Sequence, residues 1–302
     1  MRSRTGYVEL IVCGLVWGSI GVLVKEIDVS APVIVFFRLS LGALSVFAWW
    51  AVRGKLSELR LGSHRGLLVA AGLILALHWV AFFEAYKRLS VATTILIVYV
   101  GPILIAAAAP AVLGEKLERR TIYALVLSIA GIVAIAVPSA GSGDAMGFAG
   151  AGVAAVSFAA LVLMLKKLTP YYSAAGITVW QLGIAAVAVS PVLIGASGHQ
   201  IVRAAPTLLM LGVLHTGVTG ILYVSALTIV QAQQVSILVY LEPVTAVLWA
   251  WAVLNESPTL ATLAGGVLII AAGLMIVVPG LRSPVPPVAF PEPVDLNVQE
   301  AR

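Results

Sequence analysis

Ten times along 302 residues, an apolar run of roughly 20 residues recurs after a short polar break. That is the length an α-helix needs to cross the ~30 Å hydrocarbon layer of a bilayer. The expected spans are 7–25, 31–52, 66–86, 91–113, 120–138, 147–166, 173–195, 207–228, 232–254 and 258–279. The runs are continuous, whereas barrel strands would alternate with a period of two, so an all-α polytopic membrane protein is expected. Composition agrees. Hydrophobic residues make up 61%, charged residues 10%, and mean hydropathy is +1.08, leaving too few charges to cover a globular surface in water.

The net charge of +5 comes from Lys and Arg in the connecting segments, with no basic cluster interleaved with aromatics, so no nucleic-acid partner is expected. With the N-terminus inside, thirteen of the 18 Lys and Arg fall in inward segments and four in outward ones, Arg38 lying within a span. That bias places both termini in the cytoplasm of a multi-pass cell-membrane protein. Arg2 and Arg4 ahead of the first run look like a secretory signal, but no small-residue cleavage site follows, and the run is read as a retained helix. The single Cys13 excludes an internal disulfide, and no metal-ligand pattern or cofactor motif is present. After Pro279 the chain turns proline-rich, and a disordered cytoplasmic tail is expected over 280–302.

An offset of 141 residues superimposes the two halves. Val98-Tyr99-Val100-Gly101-Pro102 matches Val239-Tyr240-Leu241-Glu242-Pro243, and Leu113-Gly114-Glu115 matches Leu254-Asn255-Glu256. Pro138 and Pro279 end the two halves, and Phe37-Arg38-Leu39 aligns with Trp180-Gln181-Leu182 after a two-residue adjustment. Five crossings per half is an odd number, so the second half enters from the opposite side. Two inverted five-helix repeats are expected, over 7–138 and 147–279. Secondary transporters often carry such repeats, with the site between them near mid-membrane.

These residues resemble two EamA domains of the drug/metabolite transporter superfamily. The resemblance is carried by Leu15-Val16-Trp17-Gly18, Phe36-Phe37-Arg38-Leu39, Leu113-Gly114-Glu115-Lys116, Tyr240-Leu241-Glu242-Pro243-Val244 and Leu254-Asn255-Glu256, across 12–137 and 148–278. It implies ten helices and export or exchange of amino acids, other metabolites, nucleotide sugars or drugs. Small multidrug members use an embedded Glu in the first helix. Here Glu9 stands only at that helix's entrance, which argues against cation–drug antiport of that kind.

Ionisable groups in hydrocarbon are costly unless they face the bundle interior, so each is a candidate. Glu242 sits mid-helix before Pro243, which frees a backbone carbonyl; the carboxylate suits a cation, an amino group or a proton, or a fixed pairing with Arg38. Arg38 can clamp a substrate carboxylate, or snorkel, or pair with Glu84 or Glu242. His78 with Phe82, and His215 with Thr219 and Tyr223, form equivalent stripes that line a shared cavity or make interhelical contacts. Trp17, Tyr99, Trp180 and Tyr240 are aromatics able to close around a ligand or to pack. Gly14, Gly18 and Gly21 mark a close helix approach. Glu84 is read as solvated surface, and Glu115 and Glu256 as loop or cap residues.

The expected substrate-binding set is therefore Trp17, Arg38, His78, Tyr99, Trp180, His215, Tyr223 and Glu242, with no catalytic or metal-binding residue. The expected function is secondary export of a small polar metabolite such as an amino acid, by alternating access, from a monomer or homodimer. Glu242 and the histidines allow proton coupling. The other readings are a non-transporting receptor or assembly subunit, and a membrane enzyme of lipid phosphates. The second lacks the acidic or basic cluster such sites need.

Overall fold

The computed structural model describes residues 2–25, 27–137, 140–141 and 144–282. Ten helical spans are long and apolar enough to cross a membrane: Arg4–Lys25, Ala31–Val52, Arg65–Arg88, Thr93–Leu113, Arg119–Ala136, Ala145–Leu168, Ala174–Leu193, Gly198–Ile229, Ala232–Leu254 and Leu260–Leu281. They are spans 1 to 10 below. No strand occurs among the described residues.

The packing repeats itself under exchange of the halves. Span 3 lies along span 6, and its image, span 8, lies along span 1. Span 3 also meets span 7, as span 8 meets span 2, and span 4 packs on span 6 as span 9 packs on span 1. Spans 2 and 7, 4 and 9, and 5 and 10 are each their own image. This is a pseudo-two-fold arrangement of two five-helix units. The faces are consistent with ten crossings: Lys25 meets Glu256 and Arg88 meets Asp144 at one face. At the other, Tyr7 meets Gln234 and Lys166 meets the end of span 8. The second is called the termini face, since span 1 starts and span 10 ends there.

Small residues allow the close approaches. A Cβ on Gly18 would collide with Thr245 Oγ1 and stand 2.7 Å from Ala246 N, so spans 1 and 9 touch through backbone. The Thr245 hydroxyl donates to the Gly14 carbonyl at 2.6 Å at the same crossing. Gly42, Gly212 and Gly217 play this part between spans 2 and 8, and Gly131 and Gly265 between spans 5 and 10.

Most boundaries shift from expectation by three residues or fewer, and two differences have a local cause. Span 8 starts at Gly198, nine residues before position 207, because the Ser197 side chain accepts from the Gln200 amide and starts an amphipathic turn whose polar residues hide it in the sequence. At 32 residues it exceeds what a perpendicular crossing needs. Pro279 does not end span 10, whose helix continues to Arg282. Pro138 and positions 283–302 of the expected tail lie outside the described residues.

Candidate functional site

Spans 4 and 9 are each broken at mid-length. Span 4 consists of Val91–Val98 and Gly101–Leu113, span 9 of Ala232–Val239 and Leu241–Leu254. Pro102 and Pro243 explain both breaks: neither has an N–H to return to Val98 or Val239, and each ring clashes with that carbonyl. Just after the first break the Ile103 amide bonds Val100 rather than Tyr99. The released Tyr99 carbonyl accepts the Tyr240 hydroxyl at 2.6 Å, and the two rings lie 5.3 Å apart. Paired interruptions at equivalent points of inverted repeats mark the solute site in transporters of this architecture.

Glu242 stands in the first turn of the second half of span 9, where the helix dipole favours a carboxylate. It is half-buried, and it interacts with the Tyr99 side chain, with Tyr86 and, through space, with Arg38. Arg38 is only 7% exposed. Its Nε donates to Thr216 Oγ1 at 3.2 Å and its guanidinium lies 4.9 Å from the centre of the Trp79 ring. No ion pair within 4.0 Å joins Arg38 to Glu242, and the two terminal guanidinium nitrogens have no hydrogen-bond partner among the described residues. A guanidinium has five N–H donors, and only the Nε one is bonded within the described residues. The void beside it, lined by Val35, Leu39, Trp79 and Thr216, measures about 10 Å³. That is room for about one water. A solute needs the helices to part.

The wall opposite is a π-helical segment, Val213–Val218, in the middle of span 8. Such segments are rare and often sit at functional sites. The wider turn lets Thr216 donate to the Leu211 carbonyl at 2.9 Å while facing Arg38. It also aims His215 at span 1: Nε2 lies 2.9 Å from Ser19 Oγ, and Nδ1 lies 3.1 Å from the Met210 carbonyl. Ser19 falls at a break in span 1, between helical segments Arg2–Gly18 and Ile20–Lys25. Trp17 Nε1 bridges the His215 carbonyl (3.1 Å) and Thr219 Oγ1 (2.9 Å), and its ring lies 5.5 Å from that of Tyr223.

Of the eight candidates, the structure brings Arg38, Tyr99 and Glu242 to one locus and places Trp17, His215 and Tyr223 beside it. Thr216 joins the two groups. His78 holds the Ala154 carbonyl through Nδ1 at 2.9 Å and packs against Phe82 and Phe158, an interhelical contact one residue from Trp79. The equivalent pair is joined in the opposite sense: the Cys13 thiol, equivalent to Ala154, donates to the carbonyl of Thr219, the image of His78, at 3.4 Å. Trp180 stands apart. Its indole N–H donates to the Leu59 carbonyl at 2.7 Å near the termini face, and its ring lines an apolar surface groove of about 510 Å³ with Ala43, Leu44 and Phe47. Glu84 pairs with Lys87 and Arg88 at the surface. Trp79, Tyr86, Ser19 and Thr216 belong to the locus but carry no motif. Tyr86 alone had a signal, as the polar member of the repeat pair Ala85-Tyr86 and Ala226-Leu227.

The two breaks are not equally exposed. Tyr99 and Tyr86 are half-buried, whereas their images Tyr240 and Leu227 are sealed at 0% exposure. Tyr86, Tyr99 and Glu242 interact with one another beside the first break. Toward the termini face, Tyr7 donates to Gln234 at 2.9 Å and the buried Val235, Ile237 and Leu238 pack the first half of span 9.

The sequence profile of the EamA-like transporter family matches residues 4–137 and 145–278. Relatives include the uncharacterized transporter YxxF of Bacillus subtilis, 24% identical over 89% of this chain and 88% of that protein. An uncharacterized transporter of Archaeoglobus fulgidus is 25% identical over 88% and 94%. The pseudopaline exporter CntI of Pseudomonas aeruginosa is 24% identical over the same shares. One solved crystal structure superposes with a TM-score of 0.79 over 92% of this chain and 98% of that one, at 18% identity.

Proposed function

Since the chain belongs to the EamA-like transporter family and is therefore a multi-pass membrane transporter rather than an enzyme, we propose that it exports a small zwitterionic metabolite of amino-acid type by alternating access. One observation carries the substrate class. Arg38 and Glu242 interact through space without closing an ion pair, and the terminal guanidinium nitrogens of Arg38 make no hydrogen bond among the described residues. A solute with a carboxylate and an ammonium group would satisfy both, the guanidinium binding the carboxylate in bidentate fashion and Glu242 taking the ammonium. Trp79, Phe82, Tyr86 and Tyr99 would wall its side chain.

The unequal exposure of equivalent residues supports alternating access: exchanging the conformations of the halves would seal Tyr99 and open Tyr240. Export, with both termini in the cytoplasm, is supported by the loop charges and by one relative's name as an exporter. Proton coupling has a basis in His215. Its Nδ1 faces a carbonyl and carries a proton, so Nε2 competes for the single Ser19 hydroxyl proton with the Val16 carbonyl, whose oxygen lies 2.8 Å from Ser19 Oγ. A second ring proton removes that conflict.

The test is a proteoliposome counterflow screen of amino acids, nucleosides and sugars. Exchange of at least one amino acid, reduced in Arg38→Lys and in Glu242→Gln, is the expected result. Exchange confined to uncharged sugars or nucleosides, or unaffected by both changes, would overturn the zwitterion reading.

A further inference from the structure

The 141-residue offset also pairs two charges per half that the solute site does not use. Lys25 is equivalent to Lys166, and Glu115 to Glu256. Each glutamate follows a residue in the left-handed region, Gly114 (φ 70) or Asn255 (φ 57), which ends the second half of a broken span. At the termini face these charges are bound to backbone. Lys166 Nζ donates to the Leu227 and Val230 carbonyls at 2.5 and 2.9 Å, at the end of span 8. The Glu115 carboxylate accepts the Ala232 and Gln233 amides at 2.8 and 3.4 Å, at the start of span 9. Orphan groups of two helix ends are thus satisfied by side chains from spans 6 and 4, and the turn between spans 8 and 9 is held shut. At the opposite face the equivalent charges bond each other. Lys25 Nζ lies 2.7 Å from Glu256, with the side chains 58% and 56% exposed.

The turn that would receive them there already has the matching shape. Leu89 N–H bonds the Ala85 carbonyl at 2.8 Å, as Val230 N–H bonds Ala226 at 2.8 Å. Leu89 (φ −115, ψ 164) repeats Val230 (φ −99, ψ 145), and Ser90 (φ −65, ψ 152) repeats Gln231 (φ −63, ψ 143). We infer that Lys25 and Glu256 form the latch of the face away from the termini. When that face closes, their ion pair opens. Lys25 moves to the Tyr86 and Leu89 carbonyls, and Glu256 to the amides of Val91 and Ala92. Lys166 and Glu115 let go at the same time and pair with each other. An exposed ion pair stabilises little, whereas charges on helix ends in a closed crevice contribute more, so the latch acts mainly in the closed state. The inference rests on the alternating-access reading above.

Tyr86 and Leu227 are equivalent positions, half-buried and sealed respectively, and serve as reporters. In nanodiscs, a water-soluble maleimide is reacted with Tyr86→Cys or Leu227→Cys, each in a Cys13→Ala background. Lys25→Ala and Glu256→Ala are each expected to raise the rate at 86 relative to that at 227 by about fivefold, a modest allosteric coupling. An unchanged or lower ratio would overturn the latch, since the pair would then hold the present state or nothing. Copper-catalysed disulfide formation between Lys25→Cys and Leu89→Cys is expected to proceed as readily as between Lys166→Cys and Val230→Cys, and its failure overturns the latch as well. Counterflow by the parent protein is scored separately. A parent that moves no solute while the labelling ratio shifts removes the transport reading and leaves the latch standing.

Discussion

The Tyr240 hydroxyl donates to the Tyr99 carbonyl at 2.6 Å, and no bond runs the other way from Tyr99 to Tyr240. The two tyrosines are equivalent by sequence, each sits at the break of its span, and yet one ties the repeats together while the other faces Glu242. Within a single conformation, inverted repeats make one chemical group do two jobs.

Tyr240→Phe leaves the half-buried Tyr99 carbonyl without its partner and is expected to destabilise the fold by about 1 kcal/mol. Tyr99→Phe removes no backbone bond and should leave stability nearly unchanged while weakening counterflow. Thermal unfolding of the two variants in detergent, read beside exchange rates, checks the difference. Equal losses of stability would mean that the asymmetry is without energetic effect.

For Arg38→Lys the expected outcome is an apparent KM raised about tenfold or more, since a compact ammonium gives up bidentate contact, the Thr216 bond geometry and the stack on Trp79. Folding should persist, because a cation remains at the site. Saturation kinetics of the best counterflow substrate measure it.

Gly18→Ala places a methyl against Thr245 Oγ1 and the Ala246 backbone and should cost about 1–3 kcal/mol. Gly21→Ala, one turn on, meets nothing within 4 Å and should be neutral or mildly stabilising. A shared response of the two would contradict the crossing of spans 1 and 9 described above.

Asp144 caps span 6 through the Gly147 amide at 2.7 Å and meets Arg88 at 2.9 Å. The amide bond first, and the guanidinium second, hold its carboxyl below the usual 3.8. A carboxyl with a depressed folded value contributes stability that is present above 3.8 and lost as pH falls through the folded value. Melting temperature should therefore carry an Asp144 contribution that is constant near neutrality and fades in acid below pH 4. Asp144→Asn should flatten that limb of the pH profile.

The ten spans are legible because a run of apolar residues long enough to cross a bilayer has few alternative fates. The repeat is legible because Tyr99 and Tyr240, with Pro102 and Pro243, punctuate otherwise uniform apolar sequence. Pro243 also announces the break beside Glu242, since a missing N–H is a local property. Arg38 and Glu242 are singled out by the cost of charge in hydrocarbon alone. The rest depends on packing. Nothing in Val213–Val218 marks a π turn, so the meeting of Thr216 with Arg38 is hidden. Trp79 looks like any membrane tryptophan until the guanidinium is seen above it. Trp180 aligns with Phe37 beside Arg38, yet its indole N–H finds the Leu59 carbonyl near the membrane edge, a contact set by a loop the repeat does not share.

The π segment fixes the phase of everything after it. Its wider turn inserts one residue beyond what an α-helix would use, so Thr219 and Tyr223 are rotated by about 100° from where an unbroken helix would carry them relative to Leu208 and Leu211. Deleting one residue between 213 and 218 would restore regular winding and swing the Thr219 hydroxyl and the Tyr223 ring away from Trp17. Span 8 would remain as apolar and as long as any neighbour, but its polar stripe would point the wrong way.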